Sequence, residues 1–260
     1  MSGICQETQW ECNMPIPGIT DSKLSNQVVE TCIIVDDQGN ILSDDARALI
    51  SYDEIPNIAR VNETTYQRLL TESKLSSHTV SVPAGTLDGH TTIYCIFIQG
   101  FGAAEINDPP GLTLLKHRVN DGSGTSYSWY ARTASSEPGS YTFTTTITTH
   151  ATIFATTYSG VTGVTAGDLN FTEEVGGEFK APSMATAPGT LLCYYGKNGS
   201  GSPDTAETEP DGMTQVSFTG AAETMLALYE EVEIGSSPTD DKFFDFSAGL
   251  KPVGLQIMLT

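Results

Sequence analysis

From residue 80 to the C-terminus, short apolar or alternating runs recur at close intervals with Pro and Gly between them. The runs cover 91–99, 112–119, 125–132, 140–149, 152–159, 191–196, 214–219, 225–232, 243–247 and 253–260. The punctuation is Pro109-Pro110-Gly111, Asp121-Gly122, Glu137-Pro138-Gly139, Asn198-Gly199, Asp211-Gly212 and Ala248-Gly249. Short strands separated by turn signals predict a mainly β chain, an antiparallel β-sandwich or jelly-roll-like domain over 76–260. In Tyr141-Thr142-Phe143-Thr144 large residues alternate with Thr, which predicts one buried and one wet face. Eleven threonines fall between Thr142 and Thr165. Thr is β-branched with a polar tip, so these are expected on exposed strand faces.

Residues 1–75 follow another pattern. Met14-Pro15-Ile16-Pro17-Gly18 is a stiff, extended turn segment. The β-branched run 28–35 predicts a strand, Asp36-Asp37-Gln38-Gly39-Asn40 a turn, and Ile41-Leu42 the return of a hairpin. Ser43-Asp44-Asp45 is placed to cap a short helix over 46–50. Asn62 or Thr64 starts a second helix running through Leu69, Leu70 and Leu75. This small, mixed, Pro-interrupted arm is too short to bury a strong core alone, so it is expected to dock on something else.

The strand order occurs twice. Pro110-Gly111-Leu112-Thr113 is matched by Asp211-Gly212-Met213-Thr214, and Ile93–Phe97 by Leu191–Tyr195. Trp129-Tyr130-Ala131 is matched by Leu228-Tyr229-Glu230, and Tyr141–Thr144 by Phe243–Phe246. A period of roughly 100 residues exceeds the solenoid range, so the pattern predicts a duplicated half-sandwich with half-repeats 78–161 and 180–260. Neither half covers its own apolar face, so the two are expected to pack face to face.

Composition narrows the functional classes. The 260 residues carry 12 basic and 32 acidic side chains, net −20. Such a chain repels phosphate backbones and anionic membrane surfaces, so neither nucleic acid nor membrane is an expected partner. No apolar run approaches the ~20 residues of a transmembrane helix. Met1-Ser2-Gly3-Ile4-Cys5 has no charged start and no apolar core, so no signal peptide is expected. Residues 76–160 hold 5 acids and 3 bases, whereas residues 161–260 hold 15 acids and 4 bases. The near-neutral half is therefore expected to face a protein partner and the acidic half solvent.

No motif for chemistry stands out. The five cysteines include no C-x-x-C pair and the four histidines are dispersed, so no metal site is expected. Cys5, Cys12 and Cys32 crowd the arm, where reduced thiols are the expected state and a disulfide or metal clip the alternative. Cys95 and Cys193 sit in apolar runs, as small hydrophobes. Tyr158-Ser159-Gly160 lacks the first Gly of a nucleophile elbow, and Asp36–Asn40 misses the EF-hand spacing and its terminal Glu. Carboxylates such as Glu173, Glu174, Glu230, Glu231 and Glu233 are plentiful, but nothing singles out the pair a glycosidase needs. No enzyme and no cofactor are expected. Sugar binding is the functional alternative, with Tyr127, Trp129 and Tyr195, and beside them Tyr130 and Tyr194, as the aromatics available for stacking; all five fall within predicted strands, where packing into the core is the default. Trp10, Ile16, Pro17, Ile33 and Ile34 are the candidate interface residues of the arm, Trp10 foremost because Trp dominates interface hot spots.

Pro110-Gly111-Leu112-Thr113-Leu114-Leu115, Tyr130-Ala131-Arg132, Glu137-Pro138-Gly139-Ser140-Tyr141-Thr142-Phe143-Thr144 and Tyr158-Ser159-Gly160-Val161 together resemble a β-sandwich recurrent in structural proteins of tailed phages and prophages. Leu112 stands where that family's pattern has Trp. The resemblance covers about residues 78–260. It implies a structural role in a virion, as a head decoration, head fibre or tail-fibre protein made in the host cytoplasm. It also implies other virion proteins, capsid or tail, as partners, and assembly as a homo-oligomer, with a trimer expected. A host surface glycan is the partner under the alternative reading.

Overall fold

The chain divides into two compact units, Met1–Glu54 and Ile55–Thr260. The computed structural model describes residues 57–69, 71–100, 104–119, 125–171, 175–185, 188–198, 210–221, 224–233 and 238–260, all within the second unit. The strand expected over 28–35, the hairpin, the helix over 46–50 and the cysteines of the arm lie outside these residues.

The first half of the unit contains β1 (Ala59–Gln67), β2 (Leu75–Ser81), β3 (Thr91–Gln99), β4 (Ile106–Asn107), β5 (Thr113–Val119), β6 (Thr125–Thr133) and β7 (Ser140–Ser159). The second contains β8 (Val164–Phe171), β9 (Val175–Ala181), β10 (Gly189–Asn198), β11 (Thr214–Ala221), β12 (Thr224–Glu233) and β13 (Lys242–Leu259). Every pairing is antiparallel. Sheet 1 runs β1-β7-β3-β6-β5 with β2 and β4 also on β7; sheet 2 runs β11-β12-β10-β13-β8 with β9 also on β13. Read from the opposite end, the second order repeats the first strand for strand. Each sheet is drawn from one contiguous half of the chain.

The repeat extends to detail. Gly111 (φ 81°) and Gly212 (φ 78°) close equivalent turns, in which Leu112 N donates to Pro109 O and Met213 N to Pro210 O. A positive φ at the third position of such a turn suits glycine, which has no Cβ to clash. The bulges before Lys116 and before Ser217 also coincide. The repeated unit therefore begins with β1 and β8, wider than the half-repeats read from sequence.

The long strands explain how each half covers itself. The C-terminal part of β7 is central in sheet 1, paired with β1 and β3, and is buried on both faces. Its N-terminal part leaves that sheet, pairs with β2 and β4, and folds over the outer face. There Tyr141 and Phe143 point inward and Thr142, Thr144 and Thr146 outward, the alternation expected of a half-exposed strand. β13 bends in the same way, with β9 on its N-terminal part.

Three apolar cores result. One lies between the sheets and includes Ile93, Cys95, Phe97, Tyr127, Trp129 and Phe154 against Leu192, Tyr194, Leu226, Leu228, Leu255 and Ile257. The others lie under the folded-over layers: Val80, Tyr94, Ile96, Tyr130, Tyr141 and Phe143 in the first half, and Phe179, Leu191, Cys193, Tyr195, Tyr229 and Phe244 in the second. The expectation that neither half covers its own apolar face holds for only one face of each sheet.

Several sequence expectations are corrected. Residues 62–67, expected to open a helix, lie in β1, because Thr64, Thr65 and Tyr66 complete the edge of sheet 1 against β7. The arm expected to reach residue 75 thus gives up β1 to the sheet. The separate strands expected over 140–149 and 152–159 are one strand that bends. Not all the clustered threonines are exposed: Thr145, Thr149, Thr152, Thr156 and Thr157 are buried. Thr157 is accommodated through hydroxyl contacts with Thr92 at 2.7 Å and Thr86 at 3.0 Å.

Candidate functional site

Three of the four segments that carry the phage resemblance meet in one place; the fourth, at Tyr158, does not join them. Arg132, at the end of β6, donates from Nε to Glu137 Oε1 at 2.8 Å. Tyr141, at the start of β7, donates its hydroxyl to Glu137 Oε2 at 2.7 Å. Arg132 Nη1 also reaches the Gly111 carbonyl at 3.3 Å. Burial and the neighbouring Glu137 carboxylate push the Tyr141 hydroxyl up to about 12, so it stays a donor. The hydrogen bond to Glu137 raises the already high Arg132. The motif is thus a clamp joining the β6–β7 turn to the turn before β5.

The second half places an ion pair at two of the clamp's positions. Glu231 and Lys242 occupy the positions of Arg132 and Tyr141, which corrects by one residue the match of Tyr141 with Phe243 read from sequence, and pair directly at 2.5 Å. Lys242 Nζ reaches the Asp211 carbonyl at 3.4 Å, beside Gly212. Glu137→Ala should therefore cost about 2 kcal/mol, because Arg132 and Tyr141 both lose a charge-assisted partner. Thermal unfolding of Glu137→Ala and Glu137→Gln checks this, with the glutamine variant expected in between.

A second charged cluster ties the halves together. Arg60 of β1 pairs with Glu63 at 2.9 Å and with Glu230 Oε1 of β12 at 3.3 Å, while Tyr158 donates to Glu230 Oε2 at 2.9 Å. Arg60, Tyr158 and Glu230 border an open depression of about 320 Å³ with Ile58, Thr190 and Val232 on its walls. Glu230 and Glu231 are adjacent on β12 and so project to opposite faces: Glu230 towards Arg60 and Tyr158, Glu231 towards Lys242. They do not form a pair of carboxylates facing one substrate.

At the opposite side of the inter-sheet core, the Arg118 guanidinium lies 4.1 Å from the Phe171 ring centroid and Lys116 approaches Asp168 at 3.9 Å. Among the described residues, no group of three or more His, Cys, Asp or Glu is placed to hold a metal ion.

Of the two roles the sequence left open to the candidate sugar-stacking residues, the structure supports packing into the core. Tyr127, Trp129 and Tyr195 have no exposed surface. Tyr127 and Trp129 stack at 6.1 Å in the core between the sheets. Tyr195 belongs to the outer core of the second half, with its hydroxyl donated to the Lys242 carbonyl at 2.8 Å. Tyr130 and Tyr194 are also fully buried. A ring without accessible surface offers no face to a sugar, so these residues are corrected to core residues.

Trp10, Ile16, Pro17, Ile33 and Ile34 lie outside the described residues. Sequence reasoning missed the Arg60–Glu230–Tyr158 link, whose members are far apart in the chain and meet only through sheet packing. It quoted Arg132, Glu137 and Tyr141 without seeing that they bind each other; a base and a tyrosine flanking Glu-Pro-Gly was the available signal. No family model, curated protein or solved structure matches this chain.

Proposed function

We propose that the chain is a non-enzymatic structural component of a tailed-phage virion, attached by its N-terminal arm with the double sandwich projecting outward. The observation that carries this reading is the clamp. Arg132, Glu137 and Tyr141, from segments that resemble the phage sandwich, hold turns and strand ends together, and an ion pair takes the positions of Arg132 and Tyr141 in the second half. What the motif encodes is thus architecture, as a scaffold module requires. Head decoration, head fibre and tail fibre all fit, with capsid or tail proteins as partners and a trimer as the assembly. The near-neutral first half is the side offered to the partner, and the acidic second half the side facing solvent. Tyr127, Trp129 and Tyr195 give no support to a host-glycan module, which would need other contacts.

The test uses particles made from the genome that encodes the chain. Full-length protein should co-sediment with them. Protein lacking its first 40 residues should stay folded, because the compact unit begins at Ile55, but should no longer attach. If the truncated protein still decorates particles, arm attachment is wrong. If the full-length chain is absent from purified particles, the virion reading itself fails.

A further inference from the structure

His78 sits where the outer layer of the first half joins sheet 1. It lies on β2 opposite Phe143 of β7 and has no exposed surface. Its Nε2 is 2.9 Å from Thr149 Oγ1 and its Nδ1 is 3.3 Å from Tyr66 Oη. The ring packs edge-on against Tyr66 at 5.8 Å. One imidazole therefore touches β1, β2 and β7 together. It does so where β7 bends: Leu75 pairs with Thr149 but Ser77 with Thr144, so β7 carries extra residues at this point.

Its surroundings are hostile to charge. Its pKa is lowered from 6.5 to about 4: burial is the main influence, the Leu75 backbone acts the other way, and Arg68, beyond β1, and His150, on β7, add to the lowering. Both side chains that act electrostatically on the ring are cationic or able to become so. Tyr66 and Thr149 are hydroxyls that can accept or donate, so protonation would keep those contacts; its cost is desolvation.

The repeat supplies an internal control. The position of His78 on β2, opposite Phe143, is taken on β9 by Phe179, opposite Phe244. Phe179 is buried in the second outer core. The same architecture thus closes one outer layer over a titratable ring and the other over an apolar one.

We propose that His78 is an acid-release latch: its protonation frees the layer made by β2 and the N-terminal part of β7 from sheet 1, while the equivalent layer of the second half stays closed. Above pH 6.5 the ring is neutral in open and closed forms alike. As the pH falls from 6.5 towards 4, an opened ring takes a proton that the closed ring refuses, so opening is favoured; below about 4 the effect levels off. Opening would uncover Tyr94, Ile96 and Tyr130, now beneath Val80, Tyr141 and Phe143.

Hydrogen exchange on the full chain between pH 7 and pH 4, corrected for the intrinsic pH dependence of exchange, tests the latch. Amides of 75–81 and 140–147 should lose protection on the order of 100-fold, the change that a pKa lowered this far allows. Amides of 175–181 and 242–246 should keep theirs. His78→Phe, the solution of the other half, should abolish the loss, and His78→Gln, which retains hydrogen bonding without titrating, should do the same if the phenylalanine variant does not fold. Equal loss in both halves would overturn the proposal. So would an unchanged acid response in the folded His78 variant, or its disappearance in His150→Gln with His78 intact.

Discussion

Trp129→Ala is expected to lower Tm by about 12 °C and to unfold both halves in one transition. The indole has no exposed surface and lies between Tyr127 of its own sheet, at 6.1 Å, and Tyr194 of the facing sheet, at 6.4 Å. Truncating a buried Trp to Ala costs about 3–5 kcal/mol through lost burial and the cavity left behind. For a unit of this size each kcal/mol moves Tm by about 2–4 °C. The loss falls on the core shared by the two sheets, so neither half should survive as a separate folding unit. Trp129→Phe should cost far less than its lost volume suggests, since the indole N–H has no hydrogen-bond partner among the described residues and its removal ends an unmet demand. Calorimetry distinguishes the cases: two resolved transitions would mean that the halves are held chiefly by their own outer cores.

Gly254→Val should cost about 3 kcal/mol and act on one half. Gly254 lies in the part of β13 that runs through sheet 2, opposite Tyr195 of β10. A Cβ there would meet the Lys180 carbonyl oxygen, with the carbonyl carbon at 2.8 Å and the Ala181 nitrogen at 2.9 Å. All three atoms are backbone, so relief requires β9 to move, and overpacking of this kind typically costs 1–3 kcal/mol. The same carbonyl accepts a hydrogen bond from Asn170 Nδ2 at 3.1 Å, which fixes β9 in this close approach. Urea unfolding gives the size of the effect, and proteolysis mapped by mass spectrometry gives its place: cleavage should rise in 175–181 and leave 75–81 unchanged. Equal sensitivity in both regions would contradict the close approach as the cause.

The strands legible in the sequence were those with strong alternation or long apolar runs. β3, β6, β10 and β12 are central in their sheets and read as continuous apolar or aromatic segments. β1, β8 and β9 were not read as strands. Ala59–Gln67 and Val164–Phe171 are half-exposed edge strands whose patterns carry no strict alternation, because a bulge resets which face each residue meets. The repeat was visible through its turn glycines and tyrosine strands, but its start was not, since the leading strand of each half is a half-exposed edge strand interrupted by a bulge. The aromatics stood between a core and a sugar-binding role because a ring in a strand looks alike from sequence whether its face meets solvent or another sheet. Trp129 and Tyr195 are buried in two different cores, a distinction that exists only once the long strands bend.

All four strands that end the two sheets are interrupted. β1 has an extra residue at Val61, β5 at Leu115, β11 at Val216 and β8 around Gly167 and Asp168. An unbroken border would offer a neighbouring molecule a straight row of amides and carbonyls, the template on which β proteins fuse into fibrils. Here the borders of both main sheet paths are kinked, so two molecules brought side by side along them cannot zip together; β2 and β9, which end the folded-over layers, are not interrupted in this way over 77–81 and 177–181. Many copies can then be crowded at high local density and still part as individuals. Resistance to fusion along these borders rests on their shape, apart from the chain's negative charge and unaffected by salt that screens it.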